Sequence, residues 1–350
     1  MTPHNLPARE IFKELIEINT THSSGSTTRA AEAMGARIRA AGFPEADVQV
    51  LGPRPNKGNL VARLRGTGAR KPILLLAHLD VVEARREDWS VDPFQFLERD
   101  GYFYGRGSAD NKAGAALLVA NLIRLKREGF LPNRDLILAL TADEEGGGEA
   151  NGVQWLLENH RDLIEAEYCL NSDGGSGEIR NGKRLVNELQ LSEKVYLSFR
   201  LEVKNKGGHS SLPTRDNAIY RLSEALARLA KFGFPVRLTE ATRGFFGKMA
   251  ELESPPVASD MKKMLSTDPP DPAAVSRLAE SPLYNSLMRT TCVATRFEAG
   301  HADNALPQLA RAVVTAGSFQ ESPLRMSSEL WPRCWPIRRL RWLRSKIQRS

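Results

Sequence analysis

The chain has 350 residues, of which 41% are hydrophobic and 26% charged, a composition typical of a globular protein with room for two domains. No apolar run approaches the roughly 20 residues of a membrane-spanning helix, and the N-terminal stretch lacks the basic start and apolar core of a secretory signal. The three cysteines (Cys169, Cys292 and Cys334) are too few and too widely spaced for a disulfide framework. These features predict a reduced, cytoplasmic protein that does not interact with membranes.

The net charge of +7 is confined to the C-terminal end of the chain. Residues 323–350 contain eight basic residues and a single acidic one, so residues 1–322 balance at 41 basic and 41 acidic residues. Nucleic-acid binding requires a basic surface on the folded body. The charge distribution therefore excludes that class of function.

The first half of the sequence alternates between helical and strand-like patterns. Helical spacing, strand-like apolar runs and glycine stops predict helices over 8–18, 27–41, 112–128 and 152–159, and strands over 59–64, 73–77, 135–140 and 167–170. Such alternation is typical of an α/β domain with a mostly parallel twisted sheet and helices on both faces.

The pattern changes near residue 192. Strand-like alternation, one amphipathic helix and a Pro- and charge-rich stretch follow one another, which predicts a smaller α+β domain with an antiparallel sheet. The segments are strands over 194–204, 290–298 and 309–316, a helix over 216–231, and the Pro-rich stretch over 252–274. We therefore predict a catalytic domain over 1–191, a second domain over 192–316 and a basic tail over 317–350.

Four polar motifs follow apolar stretches of the first domain. They are LLLAHLD (74–80), GRGSADNKAG (105–114), TADEEGGG (141–148) and NSDGG (171–175). Open α/β sheets bind ligands at the carboxyl edge of their strands, so these motifs are expected to converge. Their chemistry-bearing side chains are His78, Asp80, Asp110, Glu144, Glu145 and Asp173. One imidazole with several carboxylates suits zinc, and the surplus of carboxylates indicates two ions sharing a ligand, an arrangement that activates water for hydrolysis.

Most of these motifs also have a purely structural interpretation. His78 with Asp80 could be a satisfied histidine beside a capping residue, Asp110 could cap the following helix, and the segment around Asp173 is a good turn sequence. Glu144 and Glu145 are harder to explain structurally, because adjacent unpaired acids repel each other without a cation nearby. In a turn, one of the two could bind metal while the other acts as general base.

The order of these motifs resembles a known family. HLD, GRGSADNKAG, DEEGG, NSDGG, GGHSS and DNALP occur as in the co-catalytic di-zinc hydrolases that include acetylornithine deacetylase, succinyl-diaminopimelate desuccinylase, aminoacylases and Gly-X carboxypeptidases. The resemblance spans about residues 8–316. It implies a zinc-dependent hydrolase of amide bonds in small N-acyl amino acids or dipeptides.

The resemblance also implies roles for individual residues. His78, Asp110 and Asp173 would surround one Zn²⁺, Asp110 would bridge to a second Zn²⁺ held by Glu145, and Asp110–Asn111 would be a cis peptide. Glu144 would be the general base and Asp80 the partner of His78. The domain over 192–316 would be a lid that forms a homodimer. In the lid, His209 and Asn304 would contact the substrate; a solvated or core histidine is the structural alternative for His209.

The sequence departs from the family after residue 316. The family continues with a segment that supplies a histidine to the second zinc, whereas here the last histidine is His301. Pro332 and Pro336 interrupt any amphipathic membrane-surface helix in the tail. We interpret 317–350 as a disordered or frame-shifted segment. The alternative function is therefore a non-catalytic truncated remnant or a dimerisation module, and we expect the lid to expose an unpaired edge along 309–316.

Overall fold

The computed structural model describes residues 5–146, 150–174, 177–188, 190, 193–318 and 340–344. The chain divides into two compact units, residues 1–177 with 187–189 and residues 178–186 with 190–350. Residues 178–186 fall in the second unit, although the sequence analysis placed them in the first domain. The catalytic role of the first domain and the lid and dimerisation role of the second remain predictions.

The first unit alternates helices and strands. Its helices are α1 (Asn5–Glu17), α2 (Thr27–Ala40), α3 (Lys112–Arg127), α4 (Gly152–Asn159) and α5 (Arg161–Ile164). Its strands are β1 (Val48–Leu51), β2 (Asn59–Leu64), β3 (Ile73–His78), β4 (Leu97–Arg99), β5 (Tyr102–Tyr104), β6 (Leu136–Thr141) and β7 (Tyr168–Asn171).

The main sheet has the order β1-β2-β6-β3-β7, and β4 and β5 form a separate hairpin. Strands β3, β6 and β7 are parallel, whereas β2 runs antiparallel to both β1 and β6. The α/β class is confirmed, but the sheet is mixed rather than mostly parallel. The connection between β2 and β3, residues 65–72, is shorter than the dozen or so residues that a parallel crossover requires.

Two hydrophobic cores cover the two faces of this sheet. Leu138 and Leu140 of β6 point into the core formed with α1, α2 and α3, while Ile137 and Ala139 point into the core formed with α4 and α5. Because side chains alternate along a strand, a continuously apolar strand such as β6 is buried on both faces. The sheet is thereby fixed between two helical layers, and its carboxyl edge remains available for a site.

The second unit contains an antiparallel sheet and five helices in its described part. The helices are α6 (Ala218–Ala230), α7 (Glu240–Met249), α8 (Pro255–Ser266), α9 (Pro272–Leu278) and α10 (Pro282–Met288). The strands are β8 (Gly177–Arg180), β9 (Lys183–Asn187), β10 (Val195–Lys204), β11 (Gly208–His209), β12 (Thr291–Ala299), β13 (Ala305–Leu306), β14 (Leu309–Ser318) and β15 (Leu340–Arg344). In the part of the chain that the structure describes, no helix is both long and apolar enough to cross a membrane.

Strand β14 is an inner strand of the four-stranded sheet β12-β14-β10-β15. It pairs with β10 over its whole length and with β12 on its other side. The expected unpaired edge along 309–316 was therefore wrong, because β12 covers it. Within the predicted disordered tail, residues 340–344 form a strand on β10, and residues 319–339 and 345–350 lie outside the described residues.

Candidate metal and catalytic site

The carboxyl ends of β3, β6 and β7 lie side by side. His78 at the end of β3 is in register with Thr141 at the end of β6, and Leu76 is in register with Asn171 at the end of β7. Backbone hydrogen bonds continue past the strands, from Leu79 N to Thr141 O at 2.7 Å. The HLD, DEEGG and NSDGG motifs thus leave the sheet at one edge, as predicted.

His78 lies at the centre of the converging motifs and is 3% exposed. Its Nε2 is 2.8 Å from Oδ1 of Asp110 and 3.8 Å from Oδ2 of Asp173. The N-cap of α3 is Asn111, so the structural interpretation of Asp110 as that cap was wrong. The Asp110–Asn111 peptide is cis, as the resemblance implied.

Asp80 contacts both His78 and the glutamate turn. The nearest Asp80 atom to His78 Nδ1 is the backbone oxygen at 3.0 Å, while the carboxylate lies 3.6 Å away, beyond hydrogen-bonding distance. The buried carboxylate accepts hydrogen bonds from the backbone N–H groups of Glu144 (3.1 Å) and Glu145 (2.9 Å). The two motifs are therefore held together through main-chain contacts.

Three candidate ligands come close enough to share one ion. Donor atoms of His78, Glu144 and Asp173 all lie within 4.8 Å of one another, and Asp110 approaches the same imidazole nitrogen. One imidazole nitrogen with carboxylate oxygens is a donor set that zinc accepts, so these residues fit a divalent metal ion. Glu144, the predicted general base, lies within reach of the metal ligands.

The charges of this cluster act strongly on one another. Burial lowers the pKa of His78, but the neighbouring carboxylate of Asp80 and the charges of Asp173 and Glu144 outweigh it and raise that pKa to about 9. Desolvation, reinforced by the charge of Asp110, raises the pKa of Glu145 to about 7, and desolvation also raises the pKa of Glu144. The raised pKa values of Glu144 and Glu145 indicate that ionisation of these carboxylates is unfavourable without a cation. A divalent cation would stabilise their ionised form.

Gly114, in the first turn of α3, lies where this helix closely approaches the turn after β7. Ser172 Oγ donates a hydrogen bond to Asn111 Oδ1 (3.1 Å). A Cβ atom on Gly114 would overlap both of these oxygen atoms. Gly114 therefore allows the segment that carries Asp110 to approach the segment that carries Asp173.

Four residues near the site, Lys112, Asp143, Lys57 and His22, were not predicted from the sequence. Lys112 is fully buried and donates from Nζ to the Ile18 carbonyl oxygen at 2.8 Å, and burial lowers its pKa to about 7. Asp143 is fully buried and contacts Lys57 and His22. Lys112 and Asp143 belong to quoted motifs, but nothing in the pattern separates a buried lysine from a solvated one. His22 is half-exposed, and its ring contacts Asp143.

The two residues predicted to contact the substrate, His209 and Asn304, belong to the second unit. Strand β11, which contains His209, pairs with β13, and the backbone N–H of Ser210 donates to the Asn304 carbonyl oxygen at 2.9 Å. The His209 ring is exposed and its Nδ1 lies 2.8 Å from Ser211 Oγ. His209 and Asn304 are therefore neighbours on one loop pair, and the core-histidine interpretation was wrong.

The sequence matches one protein-family model and several curated proteins. The model of Peptidase family M20/M25/M40 matches residues 74–282. The N-fatty-acyl-amino acid synthase/hydrolase PM20D1 of Mus musculus is 33% identical over 320 residues, which cover 87% of this chain and 62% of that protein. A succinyl-diaminopimelate desuccinylase of Delftia acidovorans is 38% identical over 176 residues, which cover 49% of this chain and 44% of that protein.

The fold is also that of a solved structure. The M20 family metallo-carboxypeptidase Sso-CP2 from Sulfolobus solfataricus gives a TM-score of 0.64 at 17% identity, over 95% of this chain and 75% of that one. The chain spans less than two thirds of the length of both curated relatives. The family model nevertheless covers more than half of the chain, and the family indicated by the motif order is confirmed. The chain belongs to Peptidase family M20/M25/M40, a family of hydrolytic enzymes.

Proposed function

We propose that this protein is a zinc-dependent hydrolase that cleaves the amide bond of small N-acyl amino acids. The convergence of His78, Asp110, Glu144 and Asp173 at one sheet edge is the observation that carries the proposal. The names of the two curated relatives denote substrates with an acyl group on an amino acid, which favours N-acyl amino acids over dipeptides.

In this proposal the residues at the sheet edge divide into ligands and a base. His78, Asp110 and Asp173 would hold one Zn²⁺, and Asp110 with Glu145 would hold a second. Bound zinc would polarise the scissile carbonyl and lower the pKa of water.

The chain's own residues then move the proton. Glu144 accepts a proton from the attacking water and delivers it to the amine nitrogen as the C–N bond breaks. Asp80 keeps Glu144 in place, because its carboxylate accepts the backbone N–H groups of Glu144 and Glu145. His78 is held by its Nδ1 contact with the Asp80 carbonyl oxygen, which leaves Nε2 for the metal.

The lid residues belong to the same proposal. We assign His209 and Asn304 to the substrate carbonyl in a homodimer formed through the lid. Their adjacent loops and the exposed His209 ring support this assignment. It is tested by the oligomeric state of the chain in solution together with the activity of a His209→Asn variant.

A combined metal titration and activity assay tests the proposal. The chain is stripped of metal, titrated with Zn²⁺ by calorimetry, and assayed with N-acyl amino acids of increasing acyl length and with dipeptides. We expect at least one tight zinc ion per chain and zinc-dependent release of free amino acid. A chain that binds no zinc tightly and releases no amino acid would instead be a non-catalytic remnant.

A further inference from the structure

A buried polar cluster lies directly before the catalytic glutamates in the sequence. The Asp143 carboxylate accepts a hydrogen bond from Lys57 Nζ (2.7 Å) and another from the backbone N–H of Ala150 (3.0 Å). His22 Nδ1 lies 3.0 Å from the same Asp143 oxygen as Lys57 Nζ, and 3.2 Å from Nζ itself. We call Lys57, Asp143 and His22 the Asp143 cluster. Neither the family match nor the proposed mechanism assigns it a task.

The members of the cluster come from distant parts of the chain. Lys57 precedes β2, His22 follows α1, and Asp143 follows β6. The Lys57 side chain is 4% exposed and that of Asp143 is fully buried, whereas His22 is 48% exposed. A buried ion pair contributes little net stability, because the desolvation of both charges offsets their attraction. The position of the pair therefore calls for an explanation other than stability.

The backbone of the turn is fitted closely to this cluster. Asp143 has a φ of 60°, in the left-handed region that non-glycine residues rarely adopt. A Cβ atom on Gly146 would overlap the Asp143 carboxylate and lie 2.6 Å from the His22 ring. The turn from 143 to 146 thus folds over the cluster at its start and at its end, with Glu144 and Glu145 between.

We propose that the Asp143 cluster is a positioning element that fixes the turn bearing Glu144 and Glu145. Asp80 holds the N–H groups of both glutamates on one side of the turn, and Lys57 and His22 hold Asp143 next to them. With both ends anchored, the backbone positions from which the two glutamate side chains start are fixed. Lys57 and His22 act through Asp143 and do not touch the reacting atoms. The tasks of the two glutamates rest on the proposed function, but the anchoring of the turn does not.

Hydrogen exchange tests the anchoring without any activity. In the metal-free chain, Asp143→Asn and Lys57→Met should increase exchange of the Glu144 and Glu145 amides by at least about tenfold, because the turn opens locally. The matched control is Asp47→Asn, which weakens the buried Asp47 carboxylate's pair with Arg65 (2.6 Å) in the same unit. It should leave those two amides unchanged. Unchanged exchange in both cluster variants would overturn the proposal.

Enzyme kinetics of the zinc-loaded full chain provide a second test of the proposal. The variants are made at His22, because a half-exposed side chain can be replaced without unfolding the protein. His22→Ala should lower kcat by about 10- to 100-fold, the usual effect of removing a residue that orients a metal site, with little change in KM. His22→Asn, which keeps a hydrogen-bonding group near the position of Nδ1, should recover most of kcat. A His22→Ala variant with normal kcat, or a loss that His22→Asn does not repair, overturns the proposal. An inactive parent chain refutes the proposed function, and hydrogen exchange then decides the positioning role alone.

Discussion

Glu145 is expected to destabilise the metal-free protein at neutral pH. Desolvation and the charge of Asp110 raise its pKa from the ordinary 4.5 to about 7. The folded protein therefore holds a proton on Glu145 between about pH 4.5 and pH 7 that the unfolded chain has released. Stability must fall as the pH rises through this window, because the folded state binds more protons there than the unfolded state does.

The size of this effect follows from the pKa difference. At 1.36 kcal/mol per pKa unit, the change from 4.5 to about 7 corresponds to roughly 3 kcal/mol, and solvent screening of a partly buried carboxylate reduces this to about 2–3 kcal/mol.

Other titrating groups affect the stability of the fold in different pH ranges. The pKa of His78 is raised to about 9, so its stabilising contribution is lost only between pH 6.5 and 9. The pKa of buried Lys112 is lowered to about 7, so its titration makes the fold more stable as the pH rises above 7. The pKa of Asp143 is lowered from 3.8, so its contribution changes below pH 4. Between pH 5 and 6.5, changes in the stability of the fold therefore come mainly from Glu144 and Glu145.

Urea unfolding of the metal-free chain at pH 5, 6 and 7 measures this effect. Glu145→Gln removes the ionisable group, so the variant should be about 2–3 kcal/mol more stable than the parent at pH 7 and similar to it at pH 5. Glu98→Gln, which removes an exposed carboxylate paired with Arg9, is the control and should leave the pH dependence unchanged. If Glu145→Gln and the parent chain lose stability in parallel between pH 5 and 7, the assigned cause is wrong.

Three further predictions address other parts of the molecule. Glu144→Gln should abolish hydrolysis while zinc content, measured by elemental analysis, stays nearly unchanged; loss of zinc would make Glu144 a ligand and reverse its role with Glu145. Gly114→Ala should lower zinc affinity, measured by calorimetry, because the added methyl group separates the Asp110 segment from Ser172; unchanged affinity would refute this. Leu201→Ala, at a fully buried position of β10, should lower the unfolding free energy by about 2–5 kcal/mol without altering zinc binding, and a smaller loss in denaturant titrations would contradict the assigned core.

The sequence predicted the first unit well because its signals are local. Continuous apolar runs such as β6 have few alternatives to a doubly buried strand, and the polar motifs that follow them fall at the sheet edge by topology alone. The mixed character of the sheet was not predictable in this way. Strand order depends on which partner β2 finds, and a hairpin-length connection to β1 favours an antiparallel arrangement over the crossover that alternation suggests.

The helical part of the second unit was missed because its prolines resemble helix breakers. The Pro-rich stretch over 252–274 carried no helix prediction, yet α8 and α9 each begin with proline in the first turn, where the missing N–H would have no partner anyway. Asp271 caps α9 by accepting a hydrogen bond from the Ala274 backbone N–H (2.8 Å). The proline and the cap together form a helix start signal.

The tertiary partners of the site were beyond the reach of sequence patterns. A motif predicts that Asp80 lies beside His78, but not that its carboxylate turns toward backbone N–H groups 64 and 65 residues away along the chain. Nor does any local pattern connect Lys57 with Asp143. Such contacts depend on the relative placement of whole strands, whereas ligand motifs are encoded within a few residues.

The carboxylates at this edge serve two separate physical tasks. Asp80 and Asp143 are buried and satisfied, since each accepts N–H donors from the surrounding fold. Desolvation of Glu145, reinforced by the charge of Asp110, instead raises the free energy of the metal-free fold. That unfavourable charge is what a divalent ion would relieve on binding, so the cost in stability and the affinity for metal have a common origin. The buried carboxylates of Asp80 and Asp143 keep the backbone in place while the charges of Glu145 and Asp110 repel each other, which explains how the site can be organised before a metal ion binds.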